Sequence, residues 1–525
     1  MYDLLIRHAR VVDGSGRPAF GADVGIVKNR IVAVGTNLSE DAVQSIDAGG
    51  QVLAPGFVDA HTHDDLAVLR WSTLSPKICQ GVTTVVIGNC GFGLAPMVPE
   101  YAPAVQEYSA AVLGKDDQPW PWRTMGAFLD TLRATPMGQN VSALLAHGPL
   151  RVAAMGFEQR AATEQEMLVQ EDLVEEAMQA GAAGMSLGLA YVPGAYTPTS
   201  ELVRLARIVG RHGGVVASHM RGESSNYIGA INEMLAIAEQ AEVAVHLSHL
   251  KVTGQKNWGT INNALDLIAD ARARGIDVTI DMYPYNAGST TITQLLPSWV
   301  FEGGTQRMLE RLQDPAERPQ ILRGVAAKEI DWERIYISAV QLEEHKSLEG
   351  INMVQAAEQL HLSPEEALFQ LILREKGQIS VIMFTMDQRD VDQVAQADFT
   401  MIGSDGLPIL TGRPHPRLYG TFPQFIERYV REQRCMTLEQ AIYKLATFPA
   451  QRFRLTDRGS IAPDSIADLV IFDPDTIHDR ATYSDPQVYP AGISAVIVSG
   501  QPVVLAGQLQ SALPGQLIEP VRQTD

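Results

Sequence analysis

PGFVDAHTHDD, residues 55–65, decides how this chain is read. Phe57 to Ala60 form a short, largely apolar run entered through Pro-Gly, the pattern of a buried strand. The run closes on His61 and His63. Residues i and i+2 of a strand point to the same side, so both imidazoles can face one ion. A His-x-His pair alone arises easily by chance. Its weight comes from its place, because β/α-barrel enzymes keep their chemistry at the C-terminal ends of strands.

Seven further runs of the same kind follow: VTTVVIG (82–88), NVSALLA (140–146), AAGMSLG (182–188), GGVVAS (213–218), VAVHLS (243–248), DVTIDMY (277–283) and FTMIGS (399–404). Longer helical patterns, such as EQEMLVQEDLVEEAMQA (164–180) and YIGAINEMLAIAEQA (227–241), lie between them. Strand–helix alternation implies a parallel sheet. With QVLAPGFVDA (51–60) as the first strand there are eight units, which implies an α/β fold with a closed (β/α)8 TIM-like barrel over residues 55–455. The rhythm breaks between about 286 and 398. An insertion after the seventh strand lies over the barrel mouth, where a mobile lid is expected. Within it, LSPEEALFQLILREKG (362–377) predicts a helix capped by Ser363, with Glu365 and Glu366 in its first turn.

The two ends of the chain are alike. Residues 1–54 contain LLIRHARVV, ADVGIV and RIVAVG, and residues 456–525 contain ADLVIFD, SAVIVSG and QPVVLAG, all punctuated by Gly and Asp. These read as antiparallel strands, and the ends are expected to pair into one small β-sandwich domain, since chain termini often lie close together.

Composition narrows the function. Of 525 residues, 46% are hydrophobic and 19% charged, as in a globular protein. A formal net charge of −20 leaves no basic excess to neutralise phosphates, so no nucleic-acid partner is expected. No apolar run reaches 18 residues, so no membrane span is expected. Three cysteines suit a reducing compartment better than a disulfide framework, and MYDLLIRHARVVDGSG has no long apolar core, so a cytoplasmic location is expected.

Chemistry-bearing residues recur where the strands stop. Cys90 follows the second strand, His147 the third, His219 the fifth, His249 the sixth and Asp405 the eighth. Barrel closure would gather them, with His61 and His63, around one mouth. Thiolate, imidazole and carboxylate together suit zinc. One buried histidine is more often a core residue than a ligand, but a whole set terminating successive strands is not what core packing produces. His246, three residues before His249, should face away. Zinc hydrolysis needs a proton shuttle, and Asp405 is the candidate for that role. Asp-Gly also marks turns; the position after the eighth strand favours catalysis. His147 could support the oxyanion.

PGFVDAHTH with a later SDG resembles the amidohydrolase superfamily. GVTTVVIGNCG (81–91), ASHMRGE (217–223), LSHLKVTGQ (247–255), IGSDGLP (402–408) and RPHPRLYGTFP (413–423) resemble its D-aminoacylase branch, the N-acyl-D-amino-acid deacylases. The resemblance covers nearly the whole chain. Many superfamily members carry a bridging lysine after the fourth strand; here that strand ends SLGLAY (186–191), and Cys90 stands where the D-aminoacylase pattern puts its cysteine. The resemblance implies one tight Zn2+ on Cys90, His219 and His249, and a second, weaker site framed by His61, His63 and Asp405. It also implies a small-molecule N-acyl-D-amino acid substrate whose carboxylate meets Tyr191, Lys251 and Arg417. Read without it, Lys251 and Arg417 would be solvated charges. Tyr283 joins the substrate-binding set, and Arg413 and His415 are expected just behind it.

Other readings are a dipeptidase acting on a C-terminal D-residue, a cyclic amidase of the same superfamily, and a scaffold protein without activity. The missing strand-four lysine counts against the second, and the complete ligand set against the third. The segment DMYPYNAGSTTITQLLPSW (281–299) has no Arg or Lys and offers Leu295, Leu296, Pro297 and Trp299. Neutral or hydrophobic D-residues are therefore expected as substrates.

Overall fold

The computed structural model describes residues 1–39 and 41–520. Residues 521–525, the end of the expected C-terminal segment, lie outside the described residues.

Eight parallel strands form the barrel: Phe57–Asp59, Val82–Ile87, Asn140–Ala146, Gly184–Gly188, Val215–His219, Ala244–Leu247, Val278–Met282 and Thr400–Ile402. Each pairs with its sequence neighbour, and all eight runs read from the sequence fall in their expected order. QVLAPGFVDA, however, is two strands rather than one. Val52–Pro55 belongs to the sheet built by the chain ends, and the barrel begins only after Gly56. The break is physical: Gly56 N bonds Asp468 O in the end sheet, while Phe57 N bonds Gly81 O in the barrel.

The barrel closes between its first and last strands. Ala60 N donates to Ile402 O at 3.2 Å, His63 N to Gly406 O at 3.1 Å, and Asp405 N to His61 O at 2.7 Å. A buried polar network reinforces this seam. Asp59 accepts from Ser404 N at 2.7 Å and from Lys77 Nζ at 2.7 Å, and Lys77 also reaches Thr62 Oγ1 at 2.9 Å and the Ser404 hydroxyl.

The ends form one nine-stranded sheet. Tyr2–Val11 pairs antiparallel with Phe20–Val27 and parallel with Val52–Pro55, which pairs with Leu469–Phe472 from the other end. Apolar side chains from both halves, including Ile6, Val24, Leu53, Leu469 and Ile497, share one core. Two stretches of the C-terminal part leave this sheet. Gly515 N bonds Met137 O and Ile518 N bonds Val141 O, so the tail lies along the third barrel strand. Asp479 accepts from Tyr285 Oη at 2.7 Å, and the Tyr483 ring packs on His415, which carries the intervening loop to the barrel mouth.

The insertion after the seventh strand is a structured unit. It holds a three-stranded sheet of Gly288–Thr291, Ser380–Met383 and Ile335–Ala339, together with helices. The helix predicted near 362–377 spans Pro364–Arg374, with the Ser363 hydroxyl accepting from Glu366 N.

Removing one partner of a buried ion pair costs about 3–5 kcal/mol, because the other charge is stranded. Lys77→Met strands Asp59 at the seam. The expected outcome is a lowered thermal midpoint by calorimetry, with far-UV dichroism at room temperature kept; an unchanged midpoint would remove Lys77 from the closure.

Candidate active site

Two groups of potential ligands converge at the mouth and share one sulfur. His61, His63, Cys90 and Asp405 form one; Cys90, His219 and His249 form the other; within each, the ligand atoms lie within 4.8 Å of one another. All six residues are buried. Cys90 Sγ is 3.2 Å from His61 Nε2 and 3.4 Å from His249 Nε2. Asp405 Oδ1 is 3.2 Å from His63 Nε2 and 3.5 Å from His61 Nε2. Three of the six stand on left-handed backbone, with φ of 52° at Cys90, 39° at His249 and 49° at Asp405. Such conformations cost of order 1–3 kcal/mol each for non-glycine residues and gather at functional sites. Here each turns the chain sharply as it leaves a strand.

Burial raises the Cys90 thiol, but the His61 and His249 imidazoles outweigh it and hold the thiol well below its usual range. Burial opposes charge on His249, as does Lys251, yet Cys90 and Glu223 lift that imidazole to about 9. The surrounding imidazoles thus favour the charged form of the sulfur. A soft, charged sulfur with converging nitrogens is the donor set of a zinc site. The Nδ1 atoms of His63 and His219 find no hydrogen-bond partner among the described residues, which leaves ligand capacity unspent.

Two carboxylates stand behind the imidazoles, and sequence reasoning assigned neither. Asp281, fully buried in the seventh strand, lies 3.1 Å from His61 Nδ1 and 2.7 Å from His246 Nε2, and accepts from His249 N at 3.0 Å. Burial raises its carboxyl, but His61 and His246 hold it far below the usual range. Glu223 Oε1 lies 3.1 Å from His249 Nδ1, 2.8 Å from Lys251 Nζ and 3.9 Å from His219 Nε2. An acid inside the apolar run DVTIDMY was the signal for Asp281; an acid four residues after His219 was the signal for Glu223. His246, expected to face away, is instead turned toward the cluster: its Nδ1 lies 2.9 Å from Thr279 Oγ1 and its Nε2 reaches Asp281, the carboxylate that also holds His61.

The expected substrate contacts fall in two places. Arg417 is buried, its Nη1 2.9 Å from Asp405 Oδ2, with Cζ 4.6 Å from the centre of the Tyr283 ring. Burial raises the Asp405 carboxyl, but Arg417 outweighs it and holds the group well below the usual carboxylate range. Lys251 lies 2.7 Å from His249 Nδ1 as well as beside Glu223. The Tyr283 hydroxyl and Arg417 Nε have no partner among the described residues. Tyr191 stands apart, with its hydroxyl 3.1 Å from Thr290 Oγ1 of the insertion and its ring 4.7 Å from that of His219.

His147 begins the helix His147–Met155; neither ring nitrogen has a partner among the described residues, and burial, with Arg151 and Arg221, lowers it to about 3, so it is neutral. His415 is where it was expected. Its Nδ1 accepts from Arg417 N at 3.0 Å, and its Nε2 lies 2.9 Å from Ala287 O. Arg413 is not: it is exposed and lies against Gly350, because the chain turns outward at Gly412. Leu295 and Leu296 are buried and Pro297 packs on Gly324 within the insertion; beyond Asp281 and Tyr283, the segment reaches the mouth at Ser289, whose carbonyl accepts from Arg417 Nη2 at 3.2 Å, and at Thr290.

The chain belongs to the amidohydrolase family, whose model matches residues 44–504. It is an enzyme of the family's D-aminoacylase branch. It is 39% identical to a D-aminoacylase of Alcaligenes xylosoxydans xylosoxydans over 96% of this chain and 94% of that protein. It is 38% identical to an N-acyl-D-glutamate deacylase of the same organism over 95% and 93%. The crystal structure of N-acyl-D-glutamate deacylase from Bordetella bronchiseptica, complexed with zinc and a phosphonate mimic of the tetrahedral intermediate, superposes with a TM-score of 0.86 at 35% identity, covering 99% of both chains.

Carboxylates that orient metal-bound histidines are typically worth 10–100-fold in ion affinity. Asp281→Asn is expected to weaken binding of a divalent ion by about that factor, read by competition with a chromophoric chelator, while native dichroism is kept. An unchanged affinity would make Asp281 a core residue only.

Proposed function

We propose that this enzyme hydrolyses the amide bond of N-acyl-D-amino acids, releasing a free D-amino acid and a carboxylate, with Zn2+ held most tightly by Cys90, His219 and His249. One observation carries the reading: a complete sulfur, imidazole and carboxylate set converges at the mouth, beside a cluster of cationic and hydroxyl donors on the segments that follow the sixth, seventh and eighth strands. The relatives named above supply the substrate class. His61, His63 and Asp405 frame a second, weaker position through the shared sulfur. Bound zinc supplies a water of lowered pKa and polarises the scissile carbonyl.

The remaining work falls to side chains. Asp405 is ionised, aimed at the ligand cluster, and accepts the proton from water before passing it to the leaving nitrogen. Beside a bare Arg417 it is a poor base. The substrate carboxylate, engaging Arg417, Lys251 and the Tyr283 hydroxyl, neutralises that neighbour and raises the basicity of Asp405. Substrate binding and base activation are then one event. Tyr191, hydrogen-bonded to the insertion, shapes the opposite wall. His147, held neutral, can donate to the oxyanion without adding charge.

The reading is tested by measuring zinc content and then comparing N-acetyl-D-methionine with N-acetyl-L-methionine; zinc-loaded enzyme that prefers the L-isomer, or turns over neither, would overturn it. Asp405→Asn is expected to keep its zinc and lose several orders of magnitude in kcat, because a carboxamide cannot carry the proton. A loss under about tenfold would reduce Asp405 to a turn residue. The segment after the seventh strand brings Ser289 and Thr290 to the mouth and no cation. N-acetyl derivatives of D-Met, D-Leu or D-Phe should exceed that of D-Glu by roughly 100-fold or more in kcat/KM, since an unpaired buried carboxylate is costly. Best turnover with N-acetyl-D-glutamate would show that a cation reaches the side chain from elsewhere.

A further inference from the structure

The mouth is divided. Cationic and hydroxyl donors stand on the segments that follow the sixth, seventh and eighth strands: Lys251, Tyr283 and Arg417. Past the second, third and fourth strands, across the barrel, the neutral His147 stands near apolar side chains and glycine backbone. Between these two halves lies Cys90, and on the apolar side Cys90 itself borders a cavity of about 20 Å³.

That cavity is built rather than left over. Its floor is backbone. A Cβ on Gly188 would lie 2.1 Å from Cys90 O, and one on Gly148 would lie 2.5 Å from Gly91 O, so only glycine lets the second, third and fourth strand ends approach this closely. Its walls are Val105, Tyr108, Val152, Phe157 and Val192. The Tyr108 ring is fixed against Phe92 at 5.8 Å and Phe157 at 6.0 Å between centres. Phe92 in turn meets the Tyr191 ring at 4.9 Å and the His63 ring at 6.2 Å. The walls are therefore wedged between the ligand cluster and the packing behind it, and cannot yield one at a time.

We propose that this cavity is the acyl site of the deacylase, and that it admits acyl groups no larger than acetyl. The inference rests on the deacylase reading and adds the leaving carboxylic acid to it. With the scissile carbonyl at the ligand cluster, three groups must be placed. The α-carboxylate goes to Lys251, Tyr283 and Arg417. The D-side chain goes to the segment after the seventh strand. The acyl group is left with the opposite half, where Cys90 and Tyr191, whose ring lies 4.7 Å from that of His219, line the cavity. On this scale, about 10–15 Å³ holds one water. A cavity of 20 Å³ therefore takes a hydrogen or a methyl group, and a propyl chain exceeds it.

The test is a series of N-formyl, N-acetyl, N-propionyl and N-butyryl derivatives of one D-amino acid, with the zinc-loaded wild-type enzyme. Each methylene beyond acetyl is expected to lower kcat/KM by about tenfold or more. Val152→Ala and Phe157→Ala, tested separately, are expected to raise the butyryl-to-acetyl ratio by about tenfold while leaving the order among D-side chains as it was. Acetate should likewise inhibit the wild type better than butyrate, a readout that needs no variant. Equal wild-type turnover of acetyl and butyryl substrates would overturn the proposal while leaving the deacylase reading intact. A change in D-side-chain preference instead of acyl preference in the two variants would also overturn it, by giving the cavity to the side chain. Absence of turnover across the whole D-series would overturn the deacylase reading, and the acyl site with it.

Discussion

Everything at the mouth depends on how the first barrel strand is fastened to the eighth. His61 and His63 end one, Asp405 follows the other, and more than three hundred residues separate them in sequence. Backbone bonds from Ala60, His63 and Asp405 cross that seam, and the buried group of Asp59, Lys77 and Ser404 locks it from beneath. A fully buried ammonium is expensive unless paired and hydrogen-bonded. Lys77 is both, and its partners come from each side of the seam. The desolvation cost is thus tied to one arrangement of the two strands, a slip of either stranding a charge. Register at this seam is what sets the distance between the imidazoles and Asp405.

A second constraint acts within the cluster. Cys90 bears negative charge beside His61 and His249, and those imidazoles are held by Asp281 and Glu223, themselves far below the ordinary carboxylate range because of the charges they face. Alternating charge in a buried site is stable only as a whole. The two carboxylates behind also fix ring orientation, so the nitrogens facing Cys90 are set before any ion arrives.

Residues whose role follows from position along a strand were legible in the sequence. All eight barrel strands were found because each is an apolar run with turn residues after it, and Cys90, His219, His249 and Asp405 because each stands where such a run stops. What escaped depended on neighbours across the barrel. Asp281 looks like part of a strand until His61 and His246 are seen around it. Glu223 lies in a loop whose path brings it back onto His249 and Lys251. The division of QVLAPGFVDA between two sheets escaped because both halves are apolar and extended, and only their partners, Asp468 and Gly81, separate them. Arg413 failed for the same reason in reverse: it is near His415 in sequence, but the turn at Gly412 leaves it outside.

The insertion is bound to both halves of the mouth by adjacent residues. Ser289 accepts from Arg417, beside Asp405, and Thr290 meets the Tyr191 hydroxyl, beside His219 and the apolar cavity. Both belong to the strand Gly288–Thr291, which pairs with Ser380–Met383 and through it with Ile335–Ala339. A shift of this small sheet therefore cannot change one wall alone. Pulling Thr290 from Tyr191 would also draw Ser289 from Arg417, and Arg417 sets the basicity of Asp405. The surroundings of Asp405 and the wall formed by Tyr191 are coupled through one two-residue step of backbone. The insertion thus reaches the mouth on both its cationic side, at Arg417, and its aromatic side, at Tyr191.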